Sequence, residues 1–200
     1  MHKRALLVAF LAVAGSRLAS DGFFRDSIAD FIFLVLLPAA FIALSRSKLS
    51  EFGFSPGDIR TGLKYAAFFY TAAIPFMVIG SRISSFAEYY PLWKPAYEST
   101  GNLLSYELAV GLMLFSTEFF YRGFLLFTLK GQTKHAVLIQ ALLYALMHVG
   151  KPSLEVPYSL LAGLVFGMVA MRCKSILPSF LMHYVGNITF DLLLITHSLQ

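Results

Sequence analysis

The sequence predicts an all-α fold, a polytopic transmembrane helical bundle of about seven spans, and three observations carry that prediction. Of its 200 residues 58% are hydrophobic and only 14% are charged, where soluble domains average about 25% charged. Apolar runs recur along the whole chain, at about 5–20, 28–45, 63–81, 103–129, 136–149, 157–171 and 176–196, with Lys, Arg, Gly and Pro gathered between them. The basic residues are also unequal between alternate loops, as they are in membrane proteins.

The first run follows "MHKR" and reads "ALLVAFLAVAG". It serves as a first span, and it also has the layout of a secretory signal, with Ala12 and Ala14 as small residues, although its apolar stretch is short for one. The second run ends in "SRSKLSEFGFSPGDIRTG", where Gly53, Pro56 and Gly57 among charges mark a cytoplasmic loop with a short interfacial helix. The third run leads into "FAEYYPLWKPAYESTGN", whose Tyr89, Tyr90, Trp93 and Tyr97 are the amphipathic aromatics expected at headgroup depth or against a substrate. Several of the remaining runs are shorter than the roughly 20 residues of a straight span.

With the N-terminus cytoplasmic, the inner loops hold Lys3, Arg4, Arg46, Lys48, Arg60, Lys64, Lys130, Lys134, Arg172 and Lys174, and the outer loops hold only Arg25, Arg82, Lys94 and Lys151. That bias predicts a multi-pass protein of the cell membrane, its partner the lipid bilayer, with the N-terminus inside and the C-terminus outside. The net charge of +5 is dispersed between apolar runs, which excludes a nucleic-acid partner. The single Cys173 excludes an internal disulfide framework and a thiolate metal centre. No repeat or low-complexity tract divides the chain, which reads as one domain over 1–200.

Ionisable side chains at bilayer depth are costly and mark interior, functional positions. Glu118 and Arg122, four apart in "FSTEFFYRGFLLF", share one helical face; the plain alternative is an ion pair that fixes packing. In "YALMH", Tyr144 lies one turn before His148. In "HYVGNITFD", His183, Asn187 and Asp191 recur at every fourth position as a polar stripe, and Asp191 is the only aspartate expected deep in a span. At about 1.5 Å rise per residue, Glu118 lies about 18 Å from Lys130, His148 about 20 Å from His135, His183 about 14 Å and Asn187 about 20 Å from Lys174. All four fall near mid-membrane, as a shared cavity requires.

A carboxylate, two imidazoles and an amide suit hydrolysis of a peptide bond: Glu activates water, His assists the proton transfer, and Asn or His stabilises the oxyanion. Glu and His could instead hold zinc, but the chain has no H-E-x-x-H helix. It has no G-x-S-x-G element either, and a two-aspartate site lacks its second acid. Ser116 and Thr117 beside Glu118 are expected to bond back to the preceding turn.

Together the three motifs resemble the CAAX protease and bacteriocin-processing family of glutamic-type intramembrane proteases, whose pattern is Glu-Glu-x-x-x-Arg, then aromatic-x-x-x-His, then His-x-x-x-Asn. The matches are "TEFFYRG" at 117–123, "YALMH" at 144–148 and "HYVGN" at 183–187. The resemblance implies N-terminal helices over 1–102 and a catalytic core over 103–196. It implies an endopeptidase without metal or cofactor, acting on a peptide or protein substrate, with His148 assisting a water-activating glutamate and His183 with Asn187 forming the oxyanion hole. Glu118 and Arg122 take the places of the second glutamate and the arginine.

The first glutamate is replaced by Thr117, and a hydroxyl with no strong base beside it cannot do the work of a carboxylate. The acid then comes from Glu118 itself, first choice, or from Glu155 or Asp191. A protein that binds a peptide or a lipidated partner without cutting it is the alternative function, and a proton-coupled transporter is a third, disfavoured by the lack of paired halves.

Overall fold

The computed structural model describes residues 2–19 and 21–198, and these form helices and connecting turns without a strand. The seven apolar runs correspond to seven helices: α1 (His2–Leu18), α2 (Phe23–Leu44), α3 (Ile59–Gly80), α4 (Thr100–Lys130), α5 (Ala136–Leu146), α6 (Glu155–Cys173) and α7 (Leu177–Ser198). Ser20, the end of the first expected run, lies outside the described residues.

Five helices, α2, α3, α4, α6 and α7, are long and apolar enough to cross a membrane. The expected seven spans are therefore five full-length helices and two shorter ones, α1 of 17 and α5 of 11 residues. α5 stops early for a local reason. After Leu146 the chain tightens into three-residue turns, with Met147, His148 and Val149 N–H groups bonded to Tyr144, Ala145 and Leu146 carbonyls. Gly150 then takes φ +95°, a conformation glycine adopts without penalty, and Pro152 follows. His148 thus sits in a turn at the end of a helix about 16 Å long, not within a full span.

Helix starts follow ordinary capping. Asp58 accepts from the Thr61 N–H at 3.1 Å ahead of α3, and Ser99 accepts from Asn102 N–H at 3.1 Å ahead of α4. The Thr61 hydrogen bonds hold the Asp58 carboxyl below its ordinary value. The loop between α2 and α3 contains the expected short helix, a 3₁₀ turn at Leu49–Phe52. It is pinned across the α6–α7 turn by Ile176 N–H to Gly53 O and Asp58 N–H to Cys173 O, both 2.9 Å.

α4 runs through the centre, touching α2, α5, α6 and α7, while α3 lies along α7 and α1 along α2. Its side chains fill the core: Phe120 and Phe124 pack with Leu126 against Ile42 and Tyr144. The closest helix pair is α5 with α6. A Cβ at Gly163 would meet Ala141 at 3.1 Å and the Tyr144 ring at 3.2 Å, so glycine is what lets Tyr144 lie flat on α6; small residues at such crossings are common in membrane bundles. Gln140 then donates to the Gly163 carbonyl at 2.7 Å. The outer faces are apolar instead, with Phe10, Phe68 and Leu108 each more than 60% exposed, as lipid-facing positions are.

Asp30 of α2 is buried and accepts a hydrogen bond from Ser16 of α1, which corrects the reading of Asp191 as the only aspartate deep in a span. Glu107 of α4, a glutamate, adjoins Asp191.

Candidate active site

Immediately after Glu118 the backbone of α4 widens into a π-helix over Phe119–Leu125, a local rearrangement frequent at functional sites. Glu118 and Arg122 are both fully buried, with Arg122 Nη1 3.3 Å from Glu118 Oε1. The guanidinium lies 3.9 Å from the Tyr144 ring centroid and 5.2 Å from that of Phe166. Aromatic faces thus take the place of hydrogen-bond acceptors for a buried cation, and Arg122 Nε, Nη1 and Nη2 make no hydrogen bond. His183 of α7 bonds Glu118 Oε1 through Nδ1 at 2.8 Å, and its Nε2 is 3.4 Å from the Tyr144 hydroxyl. Four of the residues singled out from the sequence therefore meet, from three helices.

His148 stands on the other side of Tyr144, ring centroids 4.6 Å apart. Its Nδ1 is 2.9 Å from the Tyr144 carbonyl oxygen. A carbonyl only accepts, so Nδ1 carries a proton, and in the neutral ring Nε2 presents a lone pair. That lone pair faces Glu155 Oε1 at 3.8 Å. Glu155, the first residue of α6, takes Tyr90 O–H at 2.8 Å and Lys151 Nζ at 3.0 Å on the same oxygen, while its Oε2 is buried and unbonded. Among the described residues His148 pairs with no other carboxylate, so the structure sets the assisting histidine beside Glu155 while Glu118 is engaged by His183 and Arg122.

Thr117, in the place of the absent glutamate, turns back and donates to the Met113 carbonyl at 2.9 Å, and Ser116 likewise donates to Leu112 O at 2.7 Å. Asn187 lies one turn beyond His183 on α7 but points its amide at Asp191, Nδ2 to Oδ2 2.6 Å. Tyr97 O–H reaches the other Asp191 oxygen at 2.7 Å. The polar stripe of α7 thus divides, His183 serving the Glu118 cluster and Asn187 the Asp191 cluster.

Four participants were not picked out from the sequence as partners of the buried acids. Tyr90 and Tyr97 read as headgroup anchors or substrate contacts, and both turn inward onto carboxylates. Lys151 read only as a loop charge. Glu107 is an acid within the fourth apolar run, the same signal that exposed Glu118. Among the described residues no three His, Cys, Asp or Glu side chains converge as a metal cage would require.

This arrangement sets a carboxylate and an imidazole 3.8 Å apart, close to a buried ion cluster. Residues 92–189 match the family model described as type II CAAX prenyl endopeptidase Rce1-like. No curated protein and no solved structure matches the chain. The matched segment begins at the loop that carries Tyr97, includes Glu118, Arg122, Tyr144, His148, Glu155, His183 and Asn187, and ends just short of Asp191. Over residues 92–189, just under half of its length, this chain of helices long and apolar enough to cross a membrane is similar to the Rce1-like family of CAAX-type proteases.

Proposed function

We propose that the protein is an intramembrane endopeptidase that hydrolyses a peptide bond in a membrane-associated protein or peptide by a carboxylate-activated water. The observation that carries this reading is the facing pair of His148 Nε2 and Glu155 Oε1. Of the acids available to replace the missing glutamate, Glu155 fits the base better than Glu118. Glu118 is fully buried and neutralised by Arg122 and His183, which suits the supporting part of a second motif glutamate. Glu155 has one carboxylate oxygen, Oε2, without a hydrogen bond, and its other oxygen, Oε1, faces the His148 imidazole.

In this mechanism a water donates one hydrogen bond to His148 Nε2 and loses its other proton to Glu155 as it adds to the scissile carbonyl. The negative charge passes to the carbonyl oxygen, where His183 and Asn187 are the donors. Collapse of the tetrahedral intermediate breaks the C–N bond, and the proton held by Glu155 goes to the leaving nitrogen. Tyr90 and Lys151 orient the carboxylate, and Glu118 with Arg122 holds His183. With the N-terminus cytoplasmic in the cell membrane, Tyr90 and Lys151 lie on the non-cytoplasmic side, and the substrate approaches from there.

A second reading rests on Thr117: a chain without the first motif glutamate that binds a peptide tail or lipidated partner and leaves it intact. Membrane proteomes of cells with the wild-type protein, Glu155→Gln and His148→Ala discriminate the two. The enzyme produces new protein termini whose yield falls by about 10² or more in each variant. Cleavage retained in both variants rules out this base, and no protein-dependent terminus in the wild type supports the binder.

A further inference from the structure

The Asp191 cluster lies outside the water-activating pair yet contacts one of the proposed oxyanion donors. Asp191 is 2% exposed and spends both oxygens, one on Tyr97 O–H and one on the Asn187 amide. The carboxyl of Glu107, from the facing side of α4, lies against it. Glu107 Oε2 is buried and receives no donor from the protein, and Tyr184 O–H is bonded to the Glu107 backbone carbonyl at 3.0 Å, leaving the carboxyl to Asp191. Two carboxylates in contact at low dielectric do not both remain ionised, and a proton carried by Glu107 lets the two touch while Asp191 stays the acceptor.

Resting on the assignment of Asn187 as an oxyanion donor, we propose that Glu107 is a positioning residue: it shares one proton with Asp191, keeps Asp191 an acceptor, and so fixes the Asn187 amide. The chemistry is directional. While the proton is supplied from the Glu107 side, Asp191 Oδ2 accepts from Asn187 Nδ2, and the second amide N–H remains for the substrate oxygen. Without Glu107, Asp191 is a lone acid at membrane depth and takes the proton itself. Its hydroxyl then competes as a donor with Tyr97 and Asn187, and the amide loses its fixed orientation. A glutamine at 107 supplies an N–H to Asp191 in the same direction and preserves the arrangement.

The chain contains only two asparagines, Asn102 and Asn187, so selective ¹⁵N-asparagine labelling of the full-length protein in detergent micelles gives two side-chain amide signals. In Glu107→Leu the Asn187 amide pair shifts or broadens while Asn102 stays in place, and Glu107→Gln restores it. With a cleavable peptide, Glu107→Leu lowers kcat by about ten- to a hundredfold with KM unchanged, and Glu107→Gln recovers most of that loss. Infrared difference spectra between the wild type and Glu107→Gln show the carbonyl band of a protonated carboxylic acid only in the wild type. An unmoved Asn187 amide in Glu107→Leu, or no such infrared band, overturns the proposal. A wild type that cleaves nothing while its Asn187 amide still depends on Glu107 refutes the protease reading and leaves the positioning intact.

Discussion

The two charged clusters on either side of Tyr144 are built from similar residues, a glutamate, a histidine and a cation, and differ in what they leave open. Glu118, Arg122 and His183 are closed: the two charges are fully buried, and one carboxylate oxygen serves both partners. In the other cluster Glu155 is buried but His148 and Lys151 are partly exposed, and the imidazole and carboxylate stand 3.8 Å apart. A charge buried with its partner costs desolvation and cannot reorganise during a reaction. The difference teaches that a glutamate at a motif position is not by that fact the base: in the proposed mechanism that part falls to the carboxylate that faces an imidazole rather than a guanidinium.

Breaking the closed cluster has the largest expected effect. Glu118→Gln leaves Arg122 an uncompensated buried cation, and loss of one partner of such a pair costs about 3–5 kcal/mol. Thermal unfolding in detergent is expected to show that loss, with cleavage lost alongside it. The double variant Glu118→Leu with Arg122→Met removes both charges, and most of the stability returns while cleavage stays low because His183 has lost its anchor. A Glu118→Gln protein as stable as wild type but inactive shifts the base back to Glu118.

The comparison sharpens with a carboxylate at the motif position. Thr117→Glu in a Glu155→Gln background tests whether an acid there reaches the water beside His148. The Thr117 hydroxyl bonds its own helix at Met113, so the expectation is no more than a few per cent of wild-type kcat in a peptide-cleavage assay. Full restoration places the water between position 117 and His148 and makes Glu155 a supporting residue.

The helical bundle and the approach of His183 to Glu118 were legible in the sequence, because helical periodicity and the cost of buried charge are both local signals, whereas His148 and Asn187, expected in the same cavity, lie against Glu155 and Asp191 instead. The early end of α5 was not: the run stays apolar to Val149, and only the turn at Gly150 and Pro152 stops the helix. The π-helix after Glu118 leaves no mark in hydropathy. Nor does spacing show that His148 and Glu155, on different elements, face each other, or that Tyr90 and Tyr97 turn inward. Long-range pairings of loop residues depend on how the helices pack, and Glu107 was passed over although it lies in an apolar run, its partner Asp191 being 84 positions away.

The smallest expected effect concerns Tyr90, which reaches Glu155 from the loop between α3 and α4. Tyr90→Phe removes one of two donors to Glu155 Oε1, and Lys151 retains the other. A hydrogen bond of about 1 kcal/mol corresponds to a roughly fivefold lower kcat. Burial, and after it the Glu155 charge, push the Tyr90 phenol well above its ordinary value, so the group stays a donor across the range in which a free tyrosine ionises. The sign follows: the ratio of wild-type to Tyr90→Phe kcat remains flat as pH rises through about 10. A ratio that collapses toward one near that pH means an ordinary, solvated phenol and a loop that does not close on Glu155. A drop in kcat as deep as that of Glu155→Gln means that Tyr90 touches the reacting atoms rather than orienting the carboxylate that does.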